Sequence, residues 1–261
     1  MKAWIRDSLP MRWQVPAKYW YNRLRGTLED EMQILGSLVR AGDRAIDVGG
    51  NRGIYAYSLW RLGAEVDIFE PNPVCVSVLK AWAAGKTRIS VHPVALSNRS
   101  GSASLHIPVD GDGVEHDASA SIEHGGFEKA RDEVVALQTL DSCDFDRAAL
   151  IKIDVEGHEH DVIDGAANTL RSSRPALLVE IEQRHNSRPI REIFEQIVAF
   201  GYDGFFLDEG KMKGLREFQA ARDQSPGSFG KSGTRYINNF VFLHRSRMAE
   251  GEYLQLLGQG M

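Results

Sequence analysis

Residues 45–53 read AIDVGGNRG: a short apolar run closes on an acid, Asp47, and a turn containing Gly49, Gly50 and Gly53 follows at once. Working outward, Arg44–Gly49 reads as a first strand and Gly53–Gly63 as a helix. Glu65–Glu70 then reads as a second strand, Asn72–Gly85 as a second helix and Arg88–Leu96 as a third strand. Short apolar strands alternating with helices are the pattern of βαβ units and a parallel sheet. Upstream, Leu28, Met32, Leu35 and Val39 recur at helical spacing and Gly42 stops the run, so a helix is expected to lead into the sheet. The alternation lapses between residues 97 and 146, where two strand-like runs flank the loop DGDGVEHDASASIEHGG (110–126), which marks an insertion. It resumes with ALIKIDV (149–155), a helix over 159–173, PALLVEIE (175–182), a helix over 189–201, YDGFFLD (202–208) and a final strand YINNFVFLH (236–244). The expected layout is an N-terminal arm over 1–27, one α/β domain over 28–245 with the insertion at 97–146, and a tail over 246–261.

The bulk numbers fit a globular chain. Of 261 residues 43% are hydrophobic and 26% charged, and the net charge is −5, so the molecule as a whole does not invite nucleic acid or anionic lipid. Cys75 and Cys143 lack the spacing of a zinc site or redox pair, and no run is apolar enough to cross a membrane; a cytoplasmic location is expected. The local exception is the first 25 residues, in which Trp4, Trp13 and Trp20 accompany Lys2, Arg6, Arg12, Lys18, Arg23 and Arg25 against Asp7 alone. A membrane-surface anchor, a cover or homodimer contact, and an arm packed on its own domain are the readings, with Pro10 and Pro16 expected to interrupt a long helix.

What ligand suits a carboxylate beside such a turn? A dinucleotide would need G-x-G-x-x-G, and a phosphate loop would need Gly-Lys-Ser/Thr; neither is present, and Asp47 would repel a diphosphate. S-adenosylmethionine carries an ammonium and a sulfonium, which a carboxylate attracts. Glu70, at the end of the second strand, can accept hydrogen bonds from both ribose hydroxyls. That role is shared with nicotinamide-dependent oxidoreductases, which remain the alternative enzyme class; a noncatalytic cofactor-binding module is the alternative outside enzymes.

IDVGGNRG (46–53), FEPNP (69–73), VALS (94–97) and above all IKIDVEGHE (151–159) resemble the FkbM family of S-adenosylmethionine-dependent methyltransferases, with GGNRG where the family more often shows GANxG. The resemblance implies a class I methyltransferase (Rossmann-like) fold: a seven-stranded, mainly parallel sheet with an antiparallel last strand and helices on both faces. It also implies methyl transfer, commonly to an oxygen of a glycan or secondary metabolite. By matching position, Asp47, Gly49, Gly50, Asn51, Arg52, Gly53, Glu70 and Asn72 become cofactor residues, with Ala95 and Leu96 as adenine neighbours. The acceptor is expected to be a small molecule or glycan, not nucleic acid.

Later acids and histidines gather at strand ends. Asp154 closes the strand 149–155, Glu180 and Glu182 close 175–182, and His158 follows Asp154. A hydroxyl acceptor must lose its proton, so a general base is required. His158 is the expected base, with Asp154 to orient it or hold substrate and Glu180 within reach; Glu156 and His158 could instead cap the next helix. A divalent ion on the Asp/Glu/His set is an option but not the favoured one. His116, His124 and His185 read as solvated loop residues.

Overall fold

The computed structural model describes residues 8–111, 119–123, 129–229 and 235–258. Among the described residues eleven strands form two sheets. The main one runs β3 (Ile89–His92), β2 (Glu65–Phe69), β1 (Arg44–Val48), β7 (Leu150–Ile153), β8 (Ala176–Glu180), β11 (Asn239–His244), β9 (Tyr202–Asp208) and β10 (Lys211–Gly214). The first five are parallel, and β11 is antiparallel to both β8 and β9. The main sheet thus has eight strands rather than seven. β10 is the addition: Glu209 and Gly210 both take positive φ (51° and 76°), the two-residue hairpin geometry that folds Lys211–Gly214 back on β9.

Alternate residues of each central strand feed two cores. Ala45 and Leu178 pack with Val15, Leu59, Leu79 and Trp82 on one face, while Ile46, Ile151 and Val179 pack with Val162, Ile163, Leu170 and Ile193 on the other. The first face carries α1 (Met11–Arg25), α3 (Ile54–Arg61) and α4 (Pro73–Ala83); the second carries α5 (Glu159–Asp164), α6 (Ala167–Ser173) and α7 (Arg191–Ala199). Among the described residues no helix is long and apolar enough to cross a membrane.

Four sequence expectations are revised. The predicted helix through Leu28–Val39 is a 3-10 turn (Asp30–Gln33) followed by four-residue α2 (Leu35–Leu38), because Val39 is already extended; Leu35 and Leu38 are buried all the same. The longer helix comes earlier: α1 runs through Pro16, whose missing donor is offset by burying Val15 and Tyr19 against α3 and α4. The expected strand 88–96 breaks at Pro93, so that β4 (Ala95–Leu96) leaves the main sheet and joins β5 (Gly101–Pro108) and β6 (Ala130–Gln138) in a small sheet of order β4-β6-β5. The helix 159–173 divides into α5 and α6, since Asp141 caps the second piece, accepting from Asn168 N–H (2.8 Å) and Thr169 N–H (2.8 Å).

Candidate active site

The turn after β1 is pinned between two neighbouring strands. Gly49 and Gly50 N–H donate to Phe69 O (2.9 and 3.2 Å) at the end of β2, and Asp154 N–H donates to Val48 O (3.0 Å) from the end of β7. Gly49 has φ 75°, and a Cβ there would lie 1.8 Å from Asp154 O, so no other residue fits without separating the strand ends. Glu70 fastens the turn from the other side. Its Oε2 accepts Asn51 N–H (2.6 Å) and its Oε1 accepts Asn72 N–H (2.7 Å), which fixes the carboxylate plane at the mouth of the turn.

These strand ends enclose a solvent-open pocket of about 570 Å³. Gly49, Asn51 and Glu70 line one side, Ala95 and Leu96 with Leu105 and Ile122 form an apolar wall, and Asp154, Glu156 and His158 line the remainder. Most of the sequence-named set therefore converges here. The others stand behind it. Gly50 packs on Ile68, Gly53 on Leu79 and Val15, and Arg52 is buried with its guanidinium 3.5 Å from Gln14 Oε1. Asn72 is fully buried and caps α4 through Val74 N–H (3.0 Å).

Asp47, read from the sequence as a direct attractor of a cationic head, lies beneath the turn rather than on the pocket lining. It bonds the Ala56 N–H in the first turn of α3, and burial, opposed by Lys152 and assisted by Asp154, pushes its carboxyl up to about 7. Its Oδ2 has no hydrogen-bond partner among the described residues. A nearby cation would satisfy that oxygen, so the site's chemistry fits a sulfonium- and ammonium-bearing cofactor. The apolar wall fits an adenine and Glu70 fits vicinal hydroxyls.

A wider solvent-open groove of about 2190 Å³ adjoins the pocket and shares Ser121, Glu156 and His158 with it. His158 is held at both ring nitrogens, Nδ1 by Glu123 Oε1 (2.8 Å) and Nε2 by Ser97 Oγ (3.0 Å). With both ring nitrogens engaged, His158 would have to exchange the Ser97 contact for an acceptor hydroxyl before it could take a proton. His185 occupies the groove instead, and its Nδ1 pairs with Glu156. It is not a solvated loop residue: its side chain is 21% exposed, and although burial lowers its pKa, the Glu156 bond and charge outweigh that and hold it above the ordinary 6.5. Burial also raises the Glu156 carboxyl. His116 and His124 lie outside the described residues.

Glu180 lines neither cavity and belongs to a buried ionic cluster around Lys152. The Lys152 ammonium sits 3.6 Å from Asp154 Oδ2 and 4.9 Å from the Tyr55 ring centroid, with Glu180, Glu29 and Asp47 adding their charge. The signal for it was in the sequence: a lysine amid the apolar residues of a central strand, where an unpaired ammonium could not be buried. The wall residues Leu105, Ser121 and Ile122 come from the insertion and had no motif to announce them. Among the described residues, no three His, Cys, Asp or Glu side chains are grouped as metal ligands.

Buried carboxyls make stability pH-dependent. Asp47, Glu31 and Glu159 are each raised to about 7 by burial, so between their ordinary values and about 7 the folded chain binds more protons than the unfolded one. Stability therefore falls as pH rises through that window. Glu182 and Asp223, both lowered, act in the opposite sense and at more acid pH. The unliganded protein is expected to melt at higher temperature near pH 5.5 than near pH 8 by calorimetry; the reverse order would show these carboxyls ionised throughout.

A mainly parallel sheet whose last strand in chain order, β11, inserts antiparallel between β8 and β9, with a glycine turn facing an acid at the end of the next strand, is the class I methyltransferase fold. Residues 47–203, more than half the chain, match the Methyltransferase FkbM domain, and the chain belongs to that family. It is 28% identical over 192 residues to the 2-O-methyltransferase NoeI of Sinorhizobium fredii, covering 67% of this chain and 79% of that protein. The crystal structure of methyltransferase FkbM from Methylobacillus flagellatus KT superposes with a TM-score of 0.51 at 15% identity over 90% of this chain. The chain spans 55% of that structure's length. The family match sets aside the oxidoreductase reading, and methyltransferase relatives imply an S-adenosylmethionine-type cofactor.

Proposed function

We propose that the chain transfers a methyl group from S-adenosylmethionine to a hydroxyl of a sugar or glycan. The observation that carries this reading is the polar groove joined to the cofactor pocket at Glu156, with a carboxylate-held imidazole at the junction. The groove is lined by Asn98, Ser119, Asp161, Asn186 and Arg188, side chains suited to hydroxyl groups. NoeI is a 2-O-methyltransferase, which supports an oxygen acceptor.

When bound, S-adenosylmethionine supplies a methyl already activated on a sulfonium. The chain's own residues have two tasks. Gly49, Asn51 and Glu70 with Ala95 and Leu96 would hold the donor's adenosine, and the orphaned Asp47 oxygen would favour its charged end. His185 would take the acceptor proton on Nε2, with Glu156 fixing the tautomer and favouring the imidazolium that results. Asp154, on the pocket lining and paired with Lys152, would stand beside the donor, and His158, tied to Ser97 and Glu123, would brace the wall.

The test is mass spectrometry of oligosaccharides incubated with the enzyme and methyl-deuterated S-adenosylmethionine, with the site of label located by fragmentation. Label on nitrogen or carbon would overturn the acceptor class. Normal cofactor binding with no labelled product from extract or sugars would favour the noncatalytic module. The donor assignment has its own check. Glu70→Ala removes a charged acceptor that two backbone N–H groups and the ribose would share, and is expected to weaken S-adenosylmethionine binding about 100-fold in calorimetry. Unchanged binding would place the nucleoside elsewhere.

A further inference from the structure

Helix α1 has two apolar faces, and one of them is left largely exposed. Val15 and Tyr19 turn inward, Val15 against Gly53 and Tyr19 against Tyr57. On the opposite side Trp13, Trp20 and Leu24 fall on one stripe of the helix, 55%, 41% and 84% exposed. Flanking this stripe are Arg12 and Arg23 on one side and Lys18 and Arg25 on the other, and no Asp or Glu occurs from Ser8 to Thr27. Guanidinium groups rest over the indoles: Arg12 over Trp13 (5.9 Å), Arg23 over Trp20 (5.9 Å), and Arg61 of α3 over Trp20 (4.8 Å).

We propose that this face of α1 docks the enzyme on an anionic lipid surface. Indole and leucine side chains enter the region between headgroups and acyl chains, while arginine and lysine reach the phosphates around them. Each basic side chain near such a surface contributes about 1 kcal/mol, so four together matter even on a chain of net charge −5. Charge complementarity selects this occupant. A second copy of the chain, meeting this stripe about a two-fold axis, would set these cations against their own equivalents, and the protruding apolar stripe offers nothing to a nucleic-acid backbone. The inner face of the same helix touches the cofactor turn through Val15 at Gly53 and Gln14 at Arg52, so docking would present that side of the domain to the membrane.

The experiment mixes the full chain with sedimentable vesicles of phosphatidylcholine alone and of phosphatidylcholine with phosphatidylglycerol, at low and at about 0.15 M salt. Binding to the anionic vesicles only, weakened by salt and accompanied by a blue shift of tryptophan emission, is expected. Trp13→Ser/Trp20→Ser and Arg12→Glu/Arg23→Glu should each reduce partitioning about tenfold or more. Because these side chains are exposed, both variants should keep the parent melting temperature and S-adenosylmethionine affinity, which separates lost docking from lost folding. No retention on anionic vesicles at low salt, equal retention of variants and parent, or a dimer in solution that the tryptophan variant abolishes would each overturn the proposal.

Discussion

Lys152→Met should cost the fold about 3–5 kcal/mol, the range for removing one partner of a buried ion pair. Lys152 is fully buried in β7, where its ammonium donates to Ile153 O (3.2 Å) and faces Asp154. Burial alone would lower its pKa, yet the surrounding Asp154, Glu180, Glu29 and Asp47 hold it above the ordinary value. Without the cation those carboxyls lose their common counter-charge. Glu180, already raised by burial and by Asp154, would be driven further toward its protonated form. Methionine keeps the volume, so the loss reports charge rather than a cavity. Urea denaturation of the variant checks this, and Lys152→Met/Glu180→Gln should recover part of the deficit, because a neutral amide replaces a carboxyl that would otherwise have to take up a proton to stay buried. A loss below about 1 kcal/mol would show that the cluster does not depend on its lysine.

His185→Ala should lower turnover by about 10²–10⁴-fold with S-adenosylmethionine affinity retained, the usual contribution of a positioned base. The pH profile distinguishes a base from a mere wall residue. His185 must be neutral to accept a proton, and its pKa stands above 6.5, so the rate should climb with pH through a value above that figure. Glu156→Gln keeps a hydrogen-bond acceptor but removes the charge that stabilises the imidazolium. It should move the rising limb toward lower pH and reduce the maximal rate. His158→Ala should leave the limb in place. A limb that survives in His185→Ala and disappears in His158→Ala would reverse the two assignments.

The parts of this enzyme that were legible in the sequence are those fixed by local pattern. Strand periodicity located β1, β2, β7, β8, β9 and β11, and the turn at Gly49 and the acid at Glu70 pointed to one side of the pocket proposed for the cofactor. The parts not legible depend on contacts distant in the chain. Glu156 and His185 are separated in sequence and meet only because the loops after β7 and β8 fold against each other. The nitrogens of His158 are occupied by Ser97 and Glu123, both from the region around the insertion, contacts that local sequence does not announce. Asp47 was correctly placed at a strand end, but strand alternation turns its side chain toward α3 and Lys152. Pro16 argued against a helix that tertiary burial of Val15 and Tyr19 nevertheless maintains.

The partition between the two cavities is thin. Ser121 Oγ donates to Glu156 O (2.7 Å), and Ser121, Glu156 and His158 each face both sides. A substitution that pulls this partition back to admit a bulkier acceptor would open the donor's compartment at the same time. On the proposed function, changes that fit new acceptors are expected on the far bank of the groove, around Arg184 to Glu192, which does not line the pocket proposed for the donor.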